Sequence, residues 1–486
     1  MTSKYDMEHE MGITVKKADN FSEWYTQMLT KGKFIEYYDI SGCYVLLPNS
    51  FSIWEHIQSS LDKEFKKIGI KNAYFPLFIS EANLEKETNH LEGFAPEVAW
   101  VTKGGNSNLA EKIAIRPTSE CAIYPIVSRL IKSHNDLPLK MNQWCNVVRW
   151  EFKDCTPFLR SKEFLWQEIH ICHDTFMNAQ NEALKILDLY KDTYNKLLAC
   201  PVIKGKKTEG EKFAGADSTY TIETFIPVSG KGIQAATSHN LGQNFSKMFD
   251  ITFQDTDTTQ KYVYQISCGF TTRSIGIMLM LHGDDKGAII PPFVADIQIV
   301  IVPIVNKHRS NDILQKCDEV YKELSNNFRV KIDNSNHSPG WKYNYWETLG
   351  VPLRIEIGPK DVDKNMITVC KRNTHQKYII ENKQLCQNIG KYLEEIQKEL
   401  YTKAYNEMIA HIKTPSDKEE FDLELKNKNL CLIKWCESEI CETYIKEKTK
   451  AKPLCIPLDL DREVSGNKCC ICGSDAERTI LFGKSY

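Results

Sequence analysis

Residues 144–170 read WCNVVRWEFKDCTPFLRSKEFLWQEIH and contain two segments rich in aromatic and β-branched residues. They predict two strands joined by a loop of about eight residues. Because alternate side chains of a strand share a face, we expect Arg149 and Glu151 to point the same way on the first strand. On the second strand one face is expected to carry rings, a carboxylate and an imidazole, from Phe164, Trp166, Glu168 and His170.

Two interpretations of this hairpin remain open at this point. An ordinary amphipathic hairpin carries mixed side chains of this kind on its solvated face. A nucleotide-binding floor would also carry them, because a ring can stack on a base and a guanidinium can form two bonds to a phosphate. The chain has no GxxxxGK[ST] loop, no GxGxxG sequence after a strand and no HExxH. A bound nucleotide would therefore be held without those motifs.

Length and composition limit the class of protein. With 486 residues and 42% hydrophobic content, about two to four domains are expected. Lys+Arg 62 against Asp+Glu 64 gives a net charge of -2, which favours neither a protein that coats nucleic acid nor one that binds a membrane surface, so any RNA contact must come from local patches. No run approaches about 18 apolar residues, and the start, MTSKYDMEHEMG, does not resemble a signal peptide. We expect a cytoplasmic protein without a membrane segment, whose 17 cysteines are mostly reduced thiols.

The chain divides into regions by its patterns. Residues 21–282 alternate amphipathic helices with short strands, which predicts one large α+β domain. GDDKGAIIPP, residues 283–292, combines turn formers with a double proline and marks a boundary. After it, a compact α/β module is predicted, with strands at 297–304, 329–332 and 353–357 and a helix at 312–324. A long amphipathic helix at about 383–412 then leads to a tail that contains several cysteines.

Three stretches resemble the motifs of the class II aminoacyl-tRNA synthetases. RWE, the following loop and LRSKEFLWQE look like motif 2 in its prolyl form. IWEHIQSSLDKEFKKIGIKNAYFP is similar to motif 1, which builds the dimer interface in that family, and it has an apolar stripe formed by Ile53, Ile57, Leu61, Phe65 and Ile68. CGFTTRSIGIMLMLHGDDKG resembles motif 3, with Arg273 at the start of a helix.

Further blocks narrow the resemblance to the prolyl-tRNA synthetases of archaeal and eukaryotic type: HLEGFAPEVAWVT, AIRPTSE, EGEKFAG and IQAATSHNLGQNF. The resemblance implies an α+β protein with a class II catalytic domain on an antiparallel sheet (1–285). An α/β anticodon-binding domain (286–400) and a small zinc-binding α/β domain (401–486) would follow. It also implies a homodimer that joins L-proline to the tRNA for proline.

The same resemblance assigns site residues. It implies ATP contacts from Arg149, Glu151, Arg160, Phe164, Gln234, Thr237, Thr271 and Arg273. It implies a proline pocket formed by Phe94, Thr118, Glu120, Arg149, Trp166, Glu168, His170, Phe213, His239 and Ser267. Aromatic walls, an acidic acceptor and a cation suit the apolar ring, the secondary ammonium and the carboxylate of proline.

The reaction requires no acid–base pair, because the carboxylate of the amino acid is already a nucleophile toward the α-phosphate. Catalysis is expected to depend on positioning and electrostatics. The resemblance implies Arg149 at the α-phosphate, Arg273 at the γ-phosphate, and Mg²⁺ bridging the phosphates near Gln234 and carboxylates.

GWKYNYWETLGVPLRIEIGPKD, residues 340–361, is similar to the anticodon-binding region of the family. By that likeness Glu347, Arg354 and Lys360 approach two guanines of the anticodon. Arginine can bond guanine O6 and N7, and unpaired loop bases expose the edges that a carboxylate accepts from. A surface network of salt bridges on a small α/β domain is the alternative.

The tail contains Cys436-x4-Cys441 and Cys470-x-Cys472, two short pairs that suit a tetrahedral zinc site. Neither spacing is the common CxxC, so free thiols remain the alternative, and Cys469, Cys431 and Cys455 also lie nearby in the sequence. The resemblance favours a structural Zn²⁺ bound by Cys436, Cys441, Cys470 and Cys472.

The chain departs from the family pattern at two positions expected to lie close to the substrate pocket. Cys268 stands where tryptophan is common and Ile169 where glycine is common, and both are expected to change pocket shape without loss of activity. Two rival functions remain: a tRNA-binding relative without catalysis, and a synthetase for threonine or histidine. The first is disfavoured because Arg149, Glu151 and Arg273 are all present. The second is disfavoured by the blocks that resemble the proline pocket.

Overall fold

The computed structural model describes residues 12–90, 97–150, 154–305, 309–460 and 468–486. The first region, residues 12–282, contains seven α-helices in this described part: α1 Phe21–Lys31, α2 Pro48–Lys67, α3 Glu81–His90, α4 Glu120–Leu130, α5 Phe176–Asp192, α6 Asn244–Met248 and α7 Arg273–His282. Its early strands are β1 Ile35–Tyr37, β2 Tyr44–Leu46, β3 Lys71–Asn72, β4 Phe78–Ser80, β5 Trp100–Gly104, β6 Ser107–Ile115 and β7 Leu139–Val148. The later strands are β8 Glu163–His173, β9 Ile203–Lys206, β10 Ser218–Ile226, β11 Lys231–Gly242, β12 Thr252–Gln254, β13 Gln260–Tyr262 and β14 Tyr264–Thr271.

The centre of this region is an antiparallel run of strands in the order β9-β10-β11-β14-β8-β7. Helix α2 packs behind it and buries Ile53, Ile57, Leu61 and Phe65, which recur every four residues as the sequence predicts. Ile68 is half-buried at the end of that stripe. The expected α+β class and the antiparallel sheet are confirmed.

The loop between β7 and β8 is longer than the sequence predicts. Strand β7 ends at Val148 and β8 begins at Glu163, so the connection runs from 149 to 162 and the estimate of about eight residues was wrong. The extra length lets Phe158 and Leu159 turn back into the core, where they are buried. Arg149 lies just past the end of β7, and its amide donates to the carbonyl of Lys162 across the loop. Glu151 lies outside the described residues.

The second region is the α/β module expected after residue 292. Its elements are β15 Ile299–Pro303, α8 Ser310–Leu324, β16 Val330–Ile332, α9 Pro339–Leu349, β17 Leu353–Ile357, α10 Pro359–Lys364, β18 Met366–Lys371, β19 Lys377–Glu381 and α11 Leu385–Ala410. The sheet order is β16-β15-β17-β18-β19, with β15 parallel to both neighbours. Helices α8 and α11 cover the buried residues of this sheet. The strands and helices predicted from the sequence are confirmed to within a few residues.

The third region contains β20 Ile412–Lys413, α12 Lys418–Lys426, β21 Leu430–Trp435, α13 Glu439–Thr449, β22 Lys452–Pro457 and β23 Arg478–Ser485. Its strands do not form a sheet of their own. Strand β22 pairs antiparallel with β9, and the end of β23 pairs parallel with β11. The tail strands therefore extend the central sheet of the first region. No helix in the described part of the chain has the length and apolar character needed to cross a membrane.

Candidate active site and two candidate binding sites

A cavity of about 250 Å³ opens over the strands β8, β11 and β14. Most of the site residues expected from the sequence line it: Thr118, Glu120, Arg149, Phe164, Trp166, Glu168, His170, Phe213, Gln234, Thr237, His239, Ser267, Thr271 and Arg273. Phe94 and Glu151 lie outside the described residues. Arg160 lines a second cavity of about 170 Å³, which shares Gln234 and Arg273 with the first.

Strand register explains why these side chains meet. In the β8–β14 pair, Glu168 lies opposite Gly269 and His170 opposite Ser267. In the β11–β14 pair, His239 also lies opposite Ser267. Because directly opposite residues share a face, alternate residues of three strands reach the same cavity.

Glycine at position 269 makes room for one wall of the cavity. A Cβ atom at this position would lie 2.7 Å from Nε1 of Trp166. The indole can therefore lie against the backbone of β14 only because that residue has no side chain. The Phe164 and Trp166 rings stack at 5.6 Å between centroids, which gives the cavity a flat aromatic floor.

Two arginines occupy fixed positions at this floor. The guanidinium of Arg149 lies over the Trp166 and Phe164 rings, and its Nε donates to the carbonyl of Pro117 at 3.1 Å. Arg273 begins α7 and donates to the carbonyls of Gln234 and Leu159. Burial lowers the pKa of Arg273, and the charges of Arg149 and Arg160 lower it further. Two arginines in this cavity and a third, Arg160, in the adjoining one favour an anionic ligand.

Two carboxylates make another part of the cavity acidic, and we call this part its acidic end. Glu168 is 3% exposed, and none of the described residues donates a hydrogen bond to either of its carboxylate oxygens. Glu120, on α4, is also buried and accepts a hydrogen bond from Thr118 Oγ1. A buried carboxylate without a donor is costly, so this end suits a ligand that brings a cation.

His239 and Phe213 form the side wall, and a hydroxyl group connects them. Thr219 Oγ1 accepts a hydrogen bond from the Phe213 amide at 2.9 Å and lies 2.9 Å from His239 Nδ1. Burial lowers the pKa of His239 to about 3, so the imidazole is neutral at physiological pH. Sequence reasoning missed Thr219, although the alternation along β10 places it on the cavity face.

The two departures from the family pattern are neighbours. Cys268 and Ile169 lie opposite each other in the β8–β14 pair, and both belong to the core behind the sheet. Cys268 also borders the cavity, and its Sγ lies 3.1 Å from Ser238 Oγ. Ile169 faces away from Glu168 and His170, so it supports the sheet from behind and does not line the cavity. Of the two residues, Cys268 lines the cavity and Ile169 does not.

A second candidate site lies in the α/β module. Arg354 NH1 donates to Glu347 Oε1 at 2.7 Å, and its Nε and NH2 donate to Glu356 Oε1 at 3.1 and 3.0 Å. The guanidinium also lies 4.0 Å from the centre of the Tyr343 ring. Lys360 is exposed on α10. Glu347 and Arg354 are thus preorganised as a pair.

The tail brings together four cysteines, but they are not the expected four. The sulfur atoms of Cys436, Cys441, Cys469 and Cys472 all lie within 4.8 Å of one another. Cys436 Sγ is 3.7 Å from both Cys441 Sγ and Cys472 Sγ, close to the roughly 3.8 Å edge of a tetrahedral zinc–thiolate site. Cys470 Sγ instead donates to the carbonyl of Asp417. Cys469 therefore replaces Cys470 in the predicted set, and the cluster is compatible with zinc.

Models of three protein families match the chain. The "tRNA synthetase class II core domain (G, H, P, S and T)" matches residues 100–282, and the "Anticodon binding domain" matches residues 298–392. The "Prolyl-tRNA synthetase, C-terminal" model matches residues 418–486. These matches cover the cavity, the Glu347–Arg354 pair and the cysteine cluster in turn.

Proteins of three organisms illustrate the similarity along the whole chain. "Proline--tRNA ligase, cytoplasmic" of Arabidopsis thaliana is 47% identical over 493 residues, which are 99% of this chain and 93% of that protein. "Proline--tRNA ligase" of Natranaerobius thermophilus is 44% identical over 488 residues, covering 100% of both chains. "Bifunctional glutamate/proline--tRNA ligase" of Mus musculus is 48% identical over 499 residues, and the chain spans 33% of its length.

Proposed function

Because the chain belongs to the prolyl-tRNA synthetase family of class II, we propose that it uses ATP to convert L-proline to prolyl-adenylate. It then transfers the prolyl group to the 3′ end of the tRNA for proline. The observation that carries this proposal is the cavity itself, because it contains the cations Arg149 and Arg273 and also the buried carboxylate of Glu168, which accepts no hydrogen bond from the described residues. A ligand with an ammonium at one end and phosphates at the other matches both the carboxylate and the cations.

Proline occupies the acidic end in this proposal. Its secondary ammonium lies near Glu168 and Glu120, and its ring packs among Trp166, Phe213 and His239. Thr118, His170 and Ser267 complete the pocket. His239 suits an apolar ring because its low pKa of about 3 keeps it uncharged beside the substrate ammonium. Phe94 belongs to the proposed pocket by family resemblance.

The triphosphate occupies the cationic end. Arg149 contacts the α-phosphate and Arg273 the γ-phosphate, so both cations are in place before charge develops in the transition state. Phe164, Thr237 and Thr271 line the nucleotide side, and Arg160 reaches it from the adjoining cavity. Glu151 is assigned here by family resemblance.

Mg²⁺ fits the oxygen donors that border the phosphate end. Glu211 and Gln234 both line the two cavities and offer a carboxylate and an amide oxygen, the ligand types that Mg²⁺ prefers. These residues would hold the ion, which would neutralise charge on the phosphate oxygens. Lys446 already pairs with Glu211 at 2.9 Å, which holds that carboxylate in place.

We also propose a role for each of the three regions of the chain. We assign residues 1–285 to catalysis, 286–400 to the anticodon and 401–486 to a structural Zn²⁺ held by Cys436, Cys441, Cys469 and Cys472. Glu347, Arg354 and Lys360 contact the anticodon. A cytoplasmic location is proposed by analogy with the relative of that printed name.

A homodimer through the region around α2 is also proposed. Exposed aromatic side chains occur on this helix and in the segments that precede and follow it in sequence, at Tyr37, Tyr38, Phe51, Tyr74 and Phe78. Aromatic residues are enriched in protein interfaces, so these exposed rings support the proposed dimer.

Exchange of pyrophosphate into ATP, measured with each of the twenty amino acids, tests the function. We expect exchange with proline, and Arg273→Ala is expected to lower it by about 10²-fold or more because a fixed cation is lost. Arg309→Ala is the matched control, since this arginine pairs with Asp363 on the surface of the α/β module. Exchange with threonine or histidine in place of proline would reveal a sister specificity. No exchange with any amino acid would favour a tRNA-binding relative without catalysis.

A further inference from the structure

Tyr124 is a buried residue to which neither the expected site nor the proposed mechanism gives a role. It lies four residues after Glu120 on α4, so both side chains point toward the same side of the helix. It is 1% exposed and packs edge-on against Phe245 and Phe249. Its hydroxyl lies 3.1 Å from Nδ1 of His170.

The contacts of His170 select one position for the imidazole proton. Nε2 lies 3.5 Å from Glu168 Oε2, and Nδ1 faces the Tyr124 hydroxyl. An ionised carboxylate only accepts hydrogen bonds, so a lone pair on Nε2 would be repelled by it. For a ring that carries one proton, the arrangement that satisfies both neighbours has the phenol donating to Nδ1 and the proton on Nε2.

We propose that Tyr124 is a positioning residue for the amine of the substrate: by donating to His170 Nδ1 it keeps the N–H of Nε2 turned toward Glu168, the carboxylate that receives the ammonium. The inference rests on the proposed function, because it assigns the substrate amine to Glu168. It goes beyond the expected site, which includes Glu168 and His170 but leaves open what orients them.

The structure explains why this orientation matters. Neither carboxylate oxygen of Glu168 accepts a hydrogen bond from the described residues, and His170 Nε2 lies 3.5 Å from Oε2, close enough to orient the carboxylate. Without the phenol, Nδ1 would be buried without a donor, and moving the proton from Nε2 to Nδ1 would leave a lone pair facing Glu168. The carboxylate would then shift away from the position in which it accepts the ammonium.

Steady-state exchange kinetics with Tyr124→Phe test the proposal. We expect the KM for proline to rise about tenfold, with the kcat and the KM for ATP within about twofold of the wild type, because one hydrogen bond to the amine subsite is lost. Tyr190→Phe is the matched control. Its hydroxyl is also buried and donates at 2.6 Å to a residue of β8, but that residue, Gln167, lies on the opposite face of the strand.

A double-mutant cycle separates action through His170 from simple packing. In a His170→Gln background, Tyr124→Phe is expected to change the KM for proline by less than about twofold, because the residue it orients is gone. An unchanged KM for proline in Tyr124→Phe overturns the inference. A common fall in kcat and in affinity for both substrates, or an equal effect in the His170→Gln background, also overturns it.

A measurement on the unaltered protein makes the test independent of how well the variant folds. In protein labelled with ¹⁵N-histidine, the signal that disappears in His170→Gln identifies this ring, and we expect it to carry its proton on Nε2. A proton on Nδ1 would refute the inference. Absence of proline-dependent exchange in the wild type would instead refute the proposed function, so the two failures are distinguishable.

Discussion

The guanidinium carbon of Arg149 lies 4.7 Å from the centre of the Trp166 ring, and the same indole lies against Gly269. Arginine stacks on aromatic faces while its N–H groups remain able to reach an anion, which lysine does less well. The position of the Arg149 guanidinium therefore depends on Gly269, a residue without a side chain on strand β14.

Gly269→Ala tests this dependence. The new Cβ would lie 2.7 Å from Trp166 Nε1, so the indole must move and Arg149 with it. We expect kcat/KM for proline to fall by at least about tenfold, since misplacement of a catalytic group by ~1 Å can cost ~10²-fold in rate. Gly340→Ala is the control, because nothing lies within 4 Å of a Cβ at that position, and it should leave activation unchanged. Normal kinetics in Gly269→Ala would show that the indole position is unimportant.

Adjacent cysteines in the tail are expected to differ in metal binding. Cys469→Ser should lower the zinc content from about one per chain and destabilise the tail, because one of four thiolates is removed. Cys470→Ser should keep the metal, since its sulfur bonds to the carbonyl of Asp417. Both variants should retain proline activation. Elemental analysis of the purified proteins measures their zinc content. Loss of zinc in Cys470→Ser but not in Cys469→Ser would instead support the set that contains Cys470.

The stability of the protein should fall in mild acid partly because of His282. This residue is buried, its Nε2 lies 3.0 Å from the carbonyl of Leu198, and burial lowers its pKa from 6.5 to about 4. The unfolded chain therefore binds a proton between these values while the folded protein does not, so stability is lost as the pH falls.

The effect of His282 can be isolated by comparing wild type with His282→Gln, whose amide can still donate to the carbonyl. Between pH 7 and pH 5 the wild type is expected to lose about 2 kcal/mol more free energy of unfolding than the variant. Urea denaturation at both pH values measures the difference. Parallel losses in the two proteins would mean that His282 does not contribute.

The enzyme is expected to make errors that it cannot correct. Between β8 and β14 the whole chain is described, and it forms α5, α6 and strands of the central sheet or of the small β12–β13 pair beside it. No separate domain with a hydrolytic site is present in this interval. Aromatic walls reject a smaller side chain only weakly, since one methylene is worth about 1–3 kcal/mol.

We therefore expect low but measurable activation of alanine and cysteine. Alanyl-tRNA for proline should persist when it is incubated with the protein in the absence of ATP. The measurement is release of alanine from separately prepared alanyl-tRNA, with a protein-free sample as the control. Rapid release that depends on the protein would reveal a hydrolytic site elsewhere.

Much of the fold follows from local patterns in the sequence. The alternation at Trp166, Glu168 and His170 placed these side chains on one face, because the two-residue period of a strand is fixed by its geometry. The helix that begins at Arg273 and the strands of the α/β module were also predictable from periodicity.

Other features depend on contacts between distant residues, and local patterns do not contain them. The β7–β8 loop is long because Phe158 and Leu159 fill the core, and that space is created by other elements. Cys469 and Cys472 form a CxxC pair, a signal that is visible in the sequence. The sequence does not show, however, that the sulfur of Cys470 bonds to the carbonyl of Asp417 and so lies outside the cluster. The contacts of Thr219 with His239 and of Tyr124 with His170 exist only in the folded protein, where β11 and β8 place these histidines beside them.

The pairing of β22 with β9 has a consequence for synthesis on the ribosome. Residues 203–206 leave the ribosome long before residues 452–457 are made, and at ~5–20 residues per second the interval is on the order of tens of seconds. During that time the outer edge of the central sheet has unpaired amide and carbonyl groups, which can pair with another nascent chain. We expect slow synthesis or premature termination between these positions to yield aggregates, and a chaperone bound at this edge to prevent them.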